Sequence, residues 1–124
     1  IDGTTGIASV DGSAGSPSVR GSDANSGIVY AADTVSISTG GSERAKVNSS
    51  GHFLPGANNT YDLGDSSTRW RNIYTNDLNL SNEGSSNDVD GTWGSYTIQE
   101  GAEDLFLVNR RNGKKYKFNL TEVL

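Results

Sequence analysis

At 124 residues the chain is long enough for one ordinary domain, but Gly, Ser, Asn and Thr supply 55 of those residues while Leu, Ile, Val and Phe supply only 25. That apolar share lies near the level at which disorder sets in, so either part of the chain is flexible or several copies share one core, and sharing is the expectation. A net charge of −5 excludes nucleic acid as the main partner, which needs a basic surface, and the lack of any Cys excludes a disulfide framework, a Cys-type zinc site and a thiol nucleophile.

Residues 1 to about 27 are Gly/Ser-rich with isolated apolar positions and read as loop or thin irregular β-structure. "GIVYAADTVSIST" (Gly27 to Thr39) contains an apolar run, a turn-like "AAD" and an alternation at Val35 and Ile37, the mark of a strand with one buried face. In "GGSERAKVNSSGHF" (Gly40 to Phe53) two glycines supply a tight turn, Ala45 and Val47 alternate with charged residues, and "NSSG" makes the next turn. The segment reads as a small β-hairpin with little to bury, and His52 to Pro55 as a further short strand. Its tail, "VNSSG" (Val47 to Gly51), matches "IDGTTG" (Ile1 to Gly6) with one gap, which implies a repeat of roughly 46 residues.

Eight of the ten aromatic side chains lie beyond residue 60. "YDLGDSSTRWRNIYTNDLNL" (Tyr61 to Leu80) reads as a turn at "GDSS" followed by two short β-type runs, and "SNEGSSNDVDGTWG" (Ser81 to Gly94) as a loop. A three-strand meander follows: "SYTIQE" (Ser95 to Glu100), "DLFLVNR" (Asp104 to Arg110) and "KKYKFNLT" (Lys114 to Thr121). Asn112-Gly113 is the signal of a two-residue hairpin turn. Tyr116, Phe118 and Leu120 are placed on one face of the last strand, with Lys115, Lys117 and Asn119 on the other. The middle strand is apolar on both faces, and neighbouring chains are the expected cover. No segment reads as a helix longer than a turn, and no apolar run reaches the ~20 residues of a membrane-spanning helix, so an all-β chain without membrane insertion is expected. The expected domains are a β-repeat shaft over 1–60, a connecting β-segment with loop over 61–94 and a β-meander tip over 95–124.

Constellations for chemistry are thin. His52 is the only histidine, so any Ser/His/Asp arrangement would centre on it, and its place beside a turn reads instead as strand surface. "NDVDG" (Asn87 to Gly91) has the start of a calcium loop, but the acidic residue required at loop position 12 would be Thr97, so it reads as a polar turn. Neither an enzyme nor a bound metal or cofactor is expected. Five of the ten basic residues crowd between Arg110 and Lys117, which reads first as a solvated hairpin tip.

The ordered series "SPSVRGSDANSGI" (Ser16 to Ile28), "DTVSISTGG" (Asp33 to Gly41) and "SERAKVNSSG" (Ser42 to Gly51) resembles the repeat unit of bacteriophage tail fibres and related virion fibres. "LGDSSTRWRNIYTNDLNLSNEG" (Leu63 to Gly84) looks like the segment that follows such repeats, notably in phages of marine bacteria. The resemblance covers residues 1 to about 84, and the final meander is similar to C-terminal tips of the same fibres. It implies a parallel homotrimer with intertwined β-structure, a thin shaft and a compact tip, residing on the virion and attaching it to the host surface without catalysis. Leu105, Leu107, Tyr116, Phe118 and Leu120 are then the expected trimer core. Trp70, Trp93, Tyr96 and Tyr116 could stack on sugars, although Trp70 within "RWRNIY" reads rather as core. Trp93 and Tyr96, with Arg110, Arg111, Lys114 and Lys115 at the hairpin tip, are the candidate receptor-binding residues for a host surface glycan or lipopolysaccharide.

The expected partners are further copies of the chain, other virion proteins towards the N-terminus, and that host receptor. The chain opens on Ile1 and contains no Met, so more sequence is expected before it. The self-cleaving chaperone domain that ends many such fibres, recognised by an "S-D-x-R-L-K" start, has no counterpart here. A head-attached or decoration fibre, a secreted adhesin or carbohydrate-binding module, and a depolymerase are the competing readings.

Overall fold

Alternating patterns and paired turn residues fold this chain into antiparallel β-structure throughout, with no helix among the described residues, which are 10–124 of a computed structural model. The chain divides into two compact units, Ile1–Arg69 and Trp70–Leu124. The proposed counterpart of the repeat at Ile1 to Gly6 lies outside the described residues.

In the first unit a two-residue ladder joins β1 (Gly12–Ser13) to β2 (Ser16–Pro17). A five-stranded sheet then follows chain order: β3 (Val19–Arg20), β4 (Gly27–Ala31), β5 (Thr34–Thr39), β6 (Ser42–Val47) and β7 (Phe53–Pro55). Gly40 and Gly41 both adopt the left-handed region, with φ of +56° and +76°, which is what a two-residue turn between twisted strands demands. "GGSERAKVNSSGHF" is therefore one strand with a turn at either end, not a self-contained hairpin. A bulge between Ile37 and Ser38 sets Arg44 out of register, and its guanidinium turns to Thr39 Oγ1 (2.8 Å) and the Tyr61 hydroxyl (2.9 Å).

The register of this sheet aligns side chains into continuous cross-strand rows. Val19 pairs with Ile28, Ile28 with Ile37, Ile37 with Ala45 and Ala45 with Pro55, so one apolar row crosses all five strands. Two residues along, Tyr30, Val35, Val47 and Phe53 form a second row on the same face. This face is the open one: Val35 and Ile37 are each 44% exposed and Phe53 is 66% exposed. The buried residues of β5 are Ser36 and Ser38, on the opposite face, where Ser36 Oγ donates to Glu43 Oε1 (2.7 Å) and Lys46 pairs with Glu43 (3.3 Å). The alternation predicted at Val35 and Ile37 is thus real, but within one chain it points the apolar face outward.

The second unit repeats this arrangement. Its sheet has the order β11 (Lys115–Lys117), β10 (Leu105–Asn109), β9 (Ser95–Glu100), β8 (Leu78–Ser81). The meander is therefore four-stranded, because β8, inside the stretch expected to be connecting, pairs with β9. Of the two short β-type runs expected after "GDSS", only the one ending at Leu80 forms a strand, as part of β8. Tyr116, Leu107, Ile98 and Leu78 make one apolar row across the sheet. Leu78, Leu80 and Tyr116 remain 45–49% exposed on that face. Val108 on the other face is 6% exposed and, apart from Pro17, is the only buried apolar residue among the described residues.

Three local expectations are corrected. The Asn112-Gly113 turn is not a two-residue loop. Only Gly113 takes a positive φ, and Arg110 to Gly113 form a longer loop closed by Asn109 N–H to Lys114 O (2.9 Å) and Gly113 N–H to Asn109 O (2.8 Å). The last strand ends at Lys117, so neither Phe118 nor Leu120 belongs to it; Phe118 N–H still donates to Leu105 O (3.0 Å), whereas Leu120 is 74% exposed. Trp70, read as core, is 65% exposed, because its segment forms no strand that could turn it inward.

Candidate functional site

Where the long loop of the second unit returns to β9, Asn82 Oδ1 accepts from Gly94 N–H (2.8 Å), and Gly94 O accepts from Asn82 N–H (3.3 Å). The pair staples the two ends of the loop. Within it Asn87 is a hub: its Oδ1 accepts from the backbone N–H of Val89 and Asp90, and its Nδ2 donates to Asp90 Oδ1 and Thr92 O. Donation from the Thr92 hydroxyl and from the Asn87 amide to Asp90 holds that carboxyl below its ordinary range. The "NDVDG" stretch is thus a self-satisfied polar loop; among the described residues no group of His, Cys, Asp or Glu is arranged to hold a metal.

This loop delivers Trp93 to the hairpin tip. Arg111 lies over the indole, with its guanidinium carbon 3.8 Å from the ring centroid, and its Nη1 donates to the Trp93 carbonyl (2.9 Å). Such stacking of a guanidinium on an indole is the favourable cation–π geometry. One edge of the Tyr96 ring lies close to Gly94, where an added Cβ would come 2.8 Å from Cε2 and the ring would have to shift to admit it. The Tyr96 hydroxyl accepts from Asn109 Nδ2 (3.3 Å).

Two clefts flank Trp93 and Gly94. One, of about 460 Å³, runs along Leu80, Asn82, Asn87, Asp90, Thr92 and Tyr96. The other, of about 380 Å³, is lined by Thr92, Tyr96, Asn109, Arg111 and Asn112 and contains one cation and no carboxylate. The arrangement offers an aromatic platform, amide and guanidinium donors on one side and the Asp90 carboxylate on the other.

Compared with protein-family models, curated proteins and solved structures, the chain matches none. Its function is therefore argued from the geometry.

Of the residues named from the sequence, Trp93, Tyr96 and Arg111 come together at this site. Arg110 does not: its Nε donates to Thr97 Oγ1 (2.9 Å) on the polar face of the sheet, away from the indole. Lys115 sits on that same polar face, in register with Val108, and Lys114 is exposed at the loop. The run of basic residues is thus split, because consecutive residues at a strand end project to opposite faces. Sequence reasoning read Asn87 and Asp90 only as part of a polar turn and Asn112 only as a turn residue, and it missed Asn82 and Asn109, whose only signal was the Asn-rich composition of the chain. Leu105 and Leu107 are half-buried on the apolar face, beside Tyr116 and Phe118.

Proposed function

We propose that the chain is a non-catalytic structural component of a virion fibre, working as a homotrimer that attaches the particle to the host cell surface. The single observation that carries this reading is the unfinished interior: apart from Pro17, Val108 is the only buried apolar residue among the described residues, while large apolar side chains of both sheets stand half exposed. A chain in this state completes its core by association. The motif series from Ser16 to Gly84 supplies the remainder of the reading, a fibre of phage-tail type.

Attachment falls to the cluster of Trp93, Tyr96 and Arg111, whose stacking surface and oriented donors suit a host glycan or lipopolysaccharide. Repetition of the cluster in each copy would raise avidity without a tight single site. Light scattering before and after boiling in detergent tests the reading. A particle of about 39 kDa, three times 13.1 kDa, that survives mild treatment supports it. A folded 13.1 kDa monomer would overturn it in favour of a secreted carbohydrate-binding module.

A further inference from the structure

We infer that the apolar faces of both sheets are self-association surfaces, each covered by further copies of this chain, while the polar faces that look buried in one chain are its outward surfaces. The inference rests on the self-association just proposed and adds which face of each sheet is used.

In the first unit the rows Val19–Ile28–Ile37–Ala45–Pro55 and Tyr30–Val35–Val47–Phe53 put nine uncharged side chains on one face. Six of these nine have printed exposures between 37% and 66%. Their accessible surface is on the order of 500 Å², at the upper end of what a monomer leaves uncovered. In the second unit Leu78, Leu80, Tyr116 and Phe118 are 36–49% exposed on the face shared with Leu105, Leu107, Ile98 and Tyr96. That adds on the order of 400 Å². Each face by itself offers about half or more of the roughly 800 Å² per partner that a specific interface buries.

The opposite faces carry ionised and hydrogen-bonded groups of the chain itself, with Ser38 Oγ the one buried polar side-chain atom left without a protein partner among the described residues. Glu43 receives Ser36 and Lys46 in the first unit. In the second, Thr97 donates to Asn79 Oδ1 (2.7 Å) and accepts from Arg110 Nε. Those faces need no partner, and docking a protein on them would strip water from ionised groups.

The occupant is another copy and not a foreign protein for two reasons. The same open-face pattern occurs in both sheets, so one self-complementary assembly closes both with one kind of partner. The two rows of the first sheet also contain no charge, so copies of a chain with net charge −5 can approach there without placing carboxylates against each other, whereas in the second sheet Glu100 stands on the open face beside Leu105.

The chain contains no cysteine, so single cysteines report this cleanly. Ile37→Cys and Leu80→Cys place a small apolar thiol on the two open faces, and Lys46→Cys and Lys117→Cys on the polar ones. Treated with a short bismaleimide, Ile37→Cys and Leu80→Cys are expected to link chains covalently, at least tenfold more than Lys46→Cys and Lys117→Cys. Ile37→Asp is expected to lower the light-scattering mass with the β-sheet circular dichroism retained. A multimeric wild type that links equally or preferentially through Lys46→Cys and Lys117→Cys overturns the assignment of faces and leaves self-association standing. A wild type of 13.1 kDa overturns the self-association reading itself, and the assignment with it.

Discussion

In the sheet of β3–β7 no hydrophobic side chain is buried among the described residues, whereas in the sheet of β8–β11 Val108 is closed off and Thr97 is fully inaccessible. Both sheets have one apolar and one polar face, and both expose the apolar one. The second differs in bringing Arg110 across its polar face onto Thr97, with Asn79 completing the line. A long guanidinium side chain can shelter apolar surface with its stem while its head stays hydrogen-bonded. The first sheet has no equivalent: Ser38 Oγ is buried without a protein hydrogen-bond partner, and Glu43 and Lys46 remain partly exposed. The comparison teaches that a sheet poor in apolar residues can gain a minimal interior from one well-placed arginine, and that without one it depends on association.

The sharpest way to break this comparison is dilution. Stability that comes from neighbouring copies falls with protein concentration, whereas stability internal to a sheet does not. Over a hundredfold dilution the amide exchange of β4–β6 is expected to accelerate by about tenfold or more, and that of β9–β10 distinctly less. Equal acceleration in the two sheets would mean that Val108 and Arg110 give the second sheet no independence.

Next in size is the Val108→Ala substitution. Removing two buried methyl groups costs their transfer energy plus a cavity term, about 2 kcal/mol for a site that cannot collapse. Denaturant unfolding followed at the β9 and β10 amides measures the loss. Ile37→Ala is the matched control: exposed in the single chain, it should cost little at concentrations where chains are dissociated and more where they associate. A Val108→Ala cost below about 0.5 kcal/mol would deny the second sheet a core of its own.

Much of the fold was legible. Strand positions, the all-β class and the turns at Ala32–Asp33 and Gly40–Gly41 follow from period-two alternation and from residues that tolerate positive φ, such as Asp33 at φ +54°. The facing of Tyr116 against Lys115 and Lys117 was readable for the same reason. The pairing of β8 was hidden because "LNLS" is short and its partner, β9, lies beyond a thirteen-residue loop that local pattern cannot bridge. At the candidate site, Trp93 stood out by its glycine neighbours, but the split between Arg110 and Arg111 depends on where β10 ends. Composition gives no sign of that boundary, since Asn109 fixes it by accepting the Arg111 N–H on its side-chain oxygen (2.9 Å).

A smaller effect isolates the arginine itself. Arg110→Ala removes the donor to Thr97 Oγ1 and uncovers the polar face, leaving the Thr97 hydroxyl with Asn79 alone. The expected cost is about 1 kcal/mol, the net value of one such hydrogen bond, and it should appear in the second sheet only. Arg111→Ala, one residue on, should leave sheet stability nearly unchanged and instead alter the Trp93 fluorescence by removing the stacked guanidinium. Equal destabilisation by both substitutions would mean that the hairpin tip, and not the contact to Thr97, is what the arginine supports.

The smallest effect concerns pH and the loop that holds Trp93. Asp90 is held below the ordinary carboxylate value of 3.8 by donation from the Thr92 hydroxyl, then from Asn87 and the Thr92 backbone. A carboxyl depressed on folding stabilises the folded loop at pH above its unfolded value, and that contribution disappears as pH falls through the lowered folded value. Because the group is solvent-exposed the energetic effect is slight, so the readout is local. The backbone N–H of Thr92, which donates to Asp90 Oδ1 (3.1 Å), should keep its NMR shift as acid is added through the ordinary carboxylate range and move only below it. The Asn87 side-chain amide should move with it, since it donates to the same oxygen (2.8 Å). Replacement by Asp90→Asn should abolish that titration and loosen the loop without changing exchange in β9 or β10. A wild-type midpoint at the ordinary carboxylate value would show that the Asn87–Asp90–Thr92 network does not hold in solution, and Trp93 would then be held at the hairpin tip by the Asn82–Gly94 staple and Arg111.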